Sequence, residues 1–133
     1  MTKVFVNGTF DVLHRGHLAL LDYARSLGDE VAVAIDTDAR VREMKGESRP
    51  VNSCLDRQVM LLALKSVDKV FSFSSDEELE NLIKTYEPDT MIVGSDWKDK
   101  TVIGSMHAAE LKFFDRLENY ATSKTIQSII DRG

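Results

Sequence analysis

The stretch GTFDVLHRGH, residues 8–17, follows a short apolar run, KVFVN at 3–7, which has the composition of a buried strand. It places a glycine at the end of that strand and two histidines, His14 and His17, where the next pattern predicts a helix start. The start of a helix attracts anions, because its first N–H groups are unpaired and the helix dipole is positive there. The stretch therefore predicts a site for phosphate oxygens at the first strand-to-helix turn.

Strand-like and helix-like segments alternate along the rest of the chain. In chain order they are 16–28 (helix), 30–36 (strand), 53–67 (helix), 68–73 (strand), 75–86 (helix), 89–97 (strand, then turn), 110–116 (strand) and 122–132 (helix). This order predicts an α/β fold, a Rossmann-like doubly wound parallel five-stranded sheet with helices on both faces. Residues 37–53, with Gly46 and Pro50, are predicted to form the longest irregular segment.

Length and composition limit the classes of function. The 133 residues predict a single domain over residues 1–133, and the formal net charge of −5 disfavours a nucleic-acid partner. No apolar run approaches the roughly 20 residues that span a bilayer, and residues 1–8 do not resemble a signal peptide. The single cysteine, Cys54, excludes an internal disulfide. We expect a cytoplasmic protein with no nucleic-acid and no membrane partner.

Polar residues and glycines gather where the predicted strands end, which is where parallel sheets bind ligands. They are Gly8, Thr9, Phe10, Asp11, His14 and His17 after the first strand, Asp36, Thr37 and Asp38 after the second, and Gly94, Ser95, Asp96 and Trp97 after the fourth. We expect these side chains to form one site at one edge of the sheet.

The first stretch resembles the signature of the cytidylyltransferase-like nucleotidyltransferases, G-x-F-D-x-x-H-x-G-H. LLDYARSLGDEVAVAIDTD at 20–38 resembles both the glycerol-3-phosphate cytidylyltransferases and the adenylyltransferase half of ADP-heptose synthases. MKGESRPVN at 44–52 is more similar to the heptose enzymes, whereas GSDW at 94–97 and FFDRLE at 113–118 are more similar to the glycerol-phosphate enzymes. YATSK at 120–124 stands where the family has G-[IY]-S-T-T.

The resemblance implies a reaction in which a substrate phosphate attacks the α-phosphate of CTP or ATP and pyrophosphate leaves. It implies catalytic roles for His14, His17, Lys45 and Arg57, and acceptor binding by Asp36, Asp38, Lys45 and Arg57. The nucleotide would be bound by Gly8, Thr9, Phe10, Asp11, His14, His17, Gly94, Asp96, Trp97, Arg116, Tyr120, Thr122 and Ser123. It also implies Mg²⁺ bridging the phosphates, with Asp11 orienting the site or the metal, and a homodimer.

Several alternatives stay open at this stage. The leading substrate pair is CTP with glycerol 3-phosphate, and its rival is ATP with a heptose-type sugar 1-phosphate. Ala121, which replaces a family serine, motivates a third reading, a nucleotide-binding module without catalysis. Structural readings also remain for solvated loop charges at Lys45 and Arg49, an ion pair at Arg57, a helix N-cap at Thr122, and turn residues at Asp36 and Asp38.

Overall fold

The structure, a computed structural model, describes residues 1–115 and 121–132. The described strands are β1 Lys3–Gly8, β2 Glu30–Asp36, β3 Lys69–Phe73, β4 Thr90–Gly94 and β5 Glu110–Phe114. The described helices are α1 Arg15–Leu27, α2 Asp38–Lys45, α3 Cys54–Leu62, α4 Asp76–Tyr86 and α5 Thr122–Arg132, with 3₁₀ turns at Ser95–Trp97 and Ser105–His107. Arg116 and Tyr120, both predicted to bind nucleotide, lie outside the described residues.

The five strands form one parallel sheet in the order β3-β2-β1-β4-β5, which confirms the predicted doubly wound architecture. The chain moves outward from β1 through β2 to β3, then returns to place β4 on the other side of β1. The switch point therefore lies between β1 and β4. In open α/β sheets the ligand crevice lies beyond the carboxyl ends of the strands at this point, here next to Gly8 and Gly94.

The sheet separates two apolar clusters because side chains alternate along each strand. Val4 and Val6 face one side and pack with Leu21 of α1 and Leu61 of α3. Phe5 faces the other side, in the cluster that contains Leu79 and Ile83 of α4. The β2 run Val31–Ile35 is fully buried on both faces, which explains its nearly continuous apolar sequence.

The structure has one helix that the sequence did not predict and one that is several residues shorter than predicted. The stretch predicted to be irregular contains helix α2, which Thr37 caps by accepting the N–H of Arg40 at 3.5 Å and which ends at Gly46, where φ is 97°. Its sequence has a weak helical signal because Val41 is its one buried residue. Helix α3 ends at Leu62, five residues before the predicted end, and Val67 closes the turn that follows by donating to the carbonyl of Leu64.

No helix within residues 1–115 and 121–132 is both long enough and apolar enough to cross a membrane.

Candidate functional site

A cavity of about 590 Å³ opens at the carboxyl edge of the sheet, across the switch point. Its walls bring together most of the predicted site residues, namely Gly8, Thr9, Phe10, Asp11, His14, His17, Asp36, Lys45, Gly94, Asp96, Trp97 and Thr122. The cavity size lies within the usual range for small-molecule sites. Three predicted residues, Asp38, Arg57 and Ser123, are not among the lining residues.

The side chains of His14 and His17 together cap the N-terminus of helix α1. The Nδ1 atom of His14 accepts the backbone N–H of Gly16 at 3.1 Å, and the Nδ1 atom of His17 accepts the backbone N–H of His14 at 3.2 Å. This is a reciprocal cap of the capping-box type, built from two imidazoles. A ring nitrogen that accepts a hydrogen bond carries no proton, so each neutral ring holds its proton on Nε2.

The two rings are held in a fixed stack beside Phe10. Their centroids lie 3.9 Å apart at an interplanar angle of 22°, and the Phe10 ring is 5.2 Å from that of His17. Burial lowers the pKa of His14 below its usual value, because the charged form loses solvation. A neutral His14 ring is therefore favoured, and both rings lie in the cavity wall.

Asp11 stabilises the turn before α1 through hydrogen bonds. Its carboxylate accepts the backbone N–H groups of Val51 at 2.6 Å and Asn52 at 2.9 Å. Its own carbonyl accepts the hydroxyl of Thr122 at 2.6 Å, which ties the turn to the start of α5. The residues on both sides, Phe10 and Val12, adopt positive φ values of 52° and 51°, a conformation that costs energy for non-glycine residues.

Asp11 therefore orients the turn, the first of the two roles predicted for it, and its surroundings differ from those expected for the second, a contact with a metal. Both carboxylate oxygens already accept backbone N–H groups, and the side chain is buried. Within residues 1–115 and 121–132, no group of three or more His, Cys, Asp or Glu side chains is arranged to hold a metal ion. The described residues therefore do not fit an Mg²⁺ ion held by protein side chains alone.

Arg57 corrects a second prediction, because its side chain is 1% exposed and lies under the site rather than in the cavity wall. Its guanidinium donates to the carbonyls of Thr9 (2.9 Å), Asp36 (2.8 Å) and Asn52 (3.1 Å), and to the Asp38 carboxylate (2.9 Å). These four acceptors lie in the turn after β1, at the end of β2, at the start of α2 and in the loop before α3. The ion-pair reading of Arg57 agrees with this geometry, and direct contact with an acceptor phosphate does not.

The two acidic residues after β2 have different surroundings. Asp36 lines the cavity and accepts the hydroxyl of Thr9 at 3.1 Å and Nε of Arg40 at 2.8 Å. Asp38 instead accepts the N–H of Cys54 at 2.8 Å and the guanidinium of Arg57, so it connects α2 to α3. The structure thus leaves Asp36 in position to meet a ligand and gives Asp38 a structural role.

The remaining predicted residues divide between the cavity and its rim. Lys45, Asp96 and Trp97 line the cavity, and the Trp97 side chain is 43% exposed. Thr122 also lines the cavity, while its hydroxyl donates to the Asp11 carbonyl. Ser123 is exposed and does not line the cavity. A Cβ atom at Gly8 would lie 3.0 Å from the Phe10 ring, so the glycine makes room for that ring.

Sequence reasoning missed four polar side chains in the cavity wall: Asn7, Arg40, Arg49 and Asp76. For Arg49 the sequence left open a solvated loop charge, but its side chain is only 13% exposed. Asn7 carried one usable signal, a carboxamide at the end of an otherwise apolar strand. Arg40 lies in the unpredicted helix α2, where it joins Asp36 to Asp76 by bonds of 2.8 and 2.6 Å.

Comparison with known sequences matches most of the chain. The family profile described as Cytidylyltransferase-like matches residues 5–124. The Bifunctional protein HldE of Sulfurimonas denitrificans is 47% identical over 126 residues, 95% of this chain and 26% of that protein. The protein of the same name from Campylobacter fetus subsp. fetus is 44% identical over 128 residues, 96% of this chain and 28% of that protein. The chain thus spans about a quarter of the length of these relatives.

Two solved structures share the fold. The lipopolysaccharide core biosynthesis protein from Thermoplasma volcanium superposes with a TM-score of 0.68 at 24% identity, covering 86% of this chain and 98% of that one. Pantoate-beta-alanine ligase from Francisella tularensis, solved with Beta-gamma ATP and Beta-alanine, gives a TM-score of 0.52 at 17% identity over 99% of this chain and 72% of that one. At these identities the likeness extends to the fold alone.

Proposed function

The chain belongs to the cytidylyltransferase-like family of nucleotidyltransferases, and we propose that it transfers the adenylyl group of ATP to a heptose-type sugar 1-phosphate with release of pyrophosphate. The observation that carries this proposal is the pair of capped imidazoles in the wall of a cavity at the sheet's switch point. The choice of substrates rests on the relatives.

The relatives favour the second of the two substrate pairs that the sequence left open. Those at 44–47% identity are bifunctional HldE proteins. The chain resembles the adenylyltransferase half of ADP-heptose synthases, most of all at residues 44–52, where Lys45 and Arg49 line the cavity. ATP with a heptose-type acceptor is therefore supported better than CTP with glycerol 3-phosphate, the pair that the residues alone favoured.

The proposed chemistry is a direct displacement at the α-phosphorus. An oxygen of the acceptor phosphate forms a new P–O bond to that phosphorus, the bond to the β-phosphate oxygen breaks, and pyrophosphate leaves. Mg²⁺ brought in with the nucleotide would neutralise part of the phosphate charge. Nucleotidyl transfer depends mainly on positioning and on stabilising the charge that develops on the phosphate oxygens. Neutral Nε2–H groups on His14 and His17, beside the positive end of α1, would donate to those oxygens.

The hydroxyl and thiol groups of the described residues near the site do not suggest a covalent intermediate. The Thr9 hydroxyl donates to Asp36 and the Thr122 hydroxyl donates to the carbonyl of Asp11. Burial raises the pKa of the Cys54 thiol, which disfavours its thiolate, and Cys54 does not line the cavity. Direct attack by the acceptor phosphate is the mechanism that these groups support.

A pyrophosphate-release assay tests the proposal. ATP and CTP should each be tried with an aldoheptose 1-phosphate and with glycerol 3-phosphate, in the presence of Mg²⁺. We expect the highest rate with ATP and the aldoheptose 1-phosphate. Release with CTP and glycerol 3-phosphate alone would reverse the substrate assignment. Nucleotide binding with no release for any pair would instead support a non-catalytic binding module.

We further propose that the chain acts in the cytoplasm and as a homodimer, which the family resemblance implies. Sedimentation velocity over a range of protein concentrations tests the dimer. A single species at the mass of one chain at every concentration would contradict it.

A further inference from the structure

Two side chains in the cavity wall carry buried polar atoms that lack a hydrogen-bond partner. They are Asn7, at Oδ1, and Arg49, at Nε and Nη2. Across residues 1–115 and 121–132, every other buried side-chain nitrogen or oxygen of a residue that is not exposed has a partner. Native proteins keep few unpaired buried polar atoms because each is costly. Both residues line the same cavity, which indicates that a bound ligand supplies the missing hydrogen-bond partners.

Arg49 has the shape and charge of a phosphate receptor. Its guanidinium has one carboxylate nearby, that of Asp11, with Nε 3.9 Å from Oδ2. That distance is too long for a hydrogen bond, and Oδ2 already accepts the Val51 N–H at 2.6 Å. A planar guanidinium with open donors binds two phosphate oxygens at once. Arg49 lines the same cavity as His14 and His17, so a phosphate on Arg49 would share that cavity with the imidazole pair.

Asn7 faces a different part of the cavity. Side-chain alternation along β1 places Asn7 on the same sheet face as Phe5, which packs in the cluster of α4. On that side the cavity rim is formed by Arg40 with Asp36 and Asp76, one guanidinium joined to two carboxylates by bonds of 2.8 and 2.6 Å. Because the carboxylates outnumber the guanidinium, this rim repels a second anion and suits hydroxyl groups better.

We propose that Arg49 and Asn7 form the acceptor subsite, and that they recognise the two chemical parts of a sugar or polyol phosphate. Arg49 binds the phosphate monoester that attacks the nucleotide. Asn7 accepts a hydrogen bond from a hydroxyl of the carbon skeleton, with its carboxamide oxygen turned toward the cavity that the side chain already lines. This assignment rests on the proposed function, since it identifies which residues bind the second substrate of that reaction.

Calorimetric titration with two ligands separates the two contacts. The ligands are an aldoheptose 1-phosphate and methyl phosphate, which has the same phosphate but no hydroxyl, each titrated with a non-hydrolysable ATP analogue present. Arg49→Met should weaken the binding of both ligands about tenfold or more, while Asn7→Leu should do so for the aldoheptose 1-phosphate alone. Arg42→Met and Asn81→Leu, which change exposed residues outside the cavity, are the matched controls.

Thermal unfolding without ligand separates ligand binding from a structural role, because the loss of a structural contact would lower the Tm. Because Asn7→Leu removes an unpaired polar atom and keeps a similar side-chain volume, it should keep or raise the Tm of the unliganded protein. Arg49→Met also removes the cation beside the buried Asp11 carboxylate, so its Tm is compared with that of Arg49→Lys, which keeps the charge. Arg49→Lys retains the charge without the planar fork, so it should restore part of the phosphate affinity.

The outcomes distinguish this inference from the proposed reaction. Variants that lower the Tm but bind both ligands as the wild type does would overturn the subsite, as would a wild type that binds neither ligand. A wild type that binds the aldoheptose 1-phosphate through Asn7 and Arg49 but releases no pyrophosphate would leave the subsite intact and overturn the proposed reaction.

Discussion

His14 and His17 each receive a backbone N–H on Nδ1, and their rings stack with centroids 3.9 Å apart at the start of α1. The same two side chains thus close the helix end and present Nε2 as the proton-bearing nitrogen. This dual role connects local folding to the chemistry of the site, because a substitution at either position changes both.

His14→Ala should lower the rate of pyrophosphate release about a hundredfold or more, since it removes a preorganised donor to the phosphate oxygens. It should also lower the free energy of unfolding by about 1 kcal/mol, because the N-cap of α1 is lost. Steady-state kinetics and urea unfolding measure the two effects.

His14→Asn is the matched variant. Asparagine is a good N-cap, so it should restore the stability that alanine loses, but its shorter side chain should leave the rate low. A His14→Asn variant with wild-type turnover would show that the His14 imidazole does not act on the phosphates.

Stability should depend on pH through His14. Burial lowers its folded-state pKa below the unfolded value, so the unfolded state binds the proton more readily. The resulting stabilisation is present above the unfolded pKa of about 6.5 and is lost as pH falls through it toward the folded pKa. Urea unfolding across this range should show a larger loss for the wild type than for His14→Asn. Identical curves for the two proteins would contradict a lowered pKa.

Arg57→Met should cause a large loss of stability, about 3 kcal/mol or more, because it removes the buried guanidinium that donates to the Asp38 carboxylate and to three backbone carbonyls. Chemical denaturation measures this loss. If Arg57 instead bound the acceptor, its substitution would raise KM for the acceptor and leave the denaturation midpoint nearly unchanged.

Tyr86 provides a control at the opposite edge of the sheet. Burial and its 2.6 Å hydrogen bond to Glu30 raise the pKa of its phenol, so the folded state holds this proton more tightly than the unfolded state. The stabilisation is present below the unfolded pKa of about 10 and is lost as pH rises through the folded pKa. Tyr86→Phe should cost about 1 kcal/mol at neutral pH, abolish this alkaline dependence and leave turnover unchanged. Ultraviolet titration of tyrosinate and unfolding at alkaline pH test it.

Much of the fold could be predicted because the patterns reflect burial directly. The bounds of β2 were predicted correctly, since Val31–Ile35 is covered on both faces and its composition shows it. Helix α2 was missed because a helix with one buried residue, Val41, has almost no periodic signal.

The cavity could be predicted as a place but not as a set of contacts. The strand ends located His14, His17 and Asp36, because the carboxyl ends of parallel strands meet at one edge. The burial of Arg57 could not be predicted, since the sequence does not show whether a long side chain points into the protein or toward solvent. The unpaired atoms of Asn7 and Arg49 emerge only when every neighbour is in place.

Nitrogen-15 NMR of labelled histidines, recorded while MgATP is added, tests the central claim most directly. The chain has three histidines, and His107, which is outside the cavity, serves as the internal reference. We predict that His14 and His17 are neutral with the proton on Nε2 at neutral pH, and that both Nε2 resonances shift as MgATP binds while those of His107 do not. Saturable MgATP binding that leaves the His14 and His17 resonances in place would contradict the account.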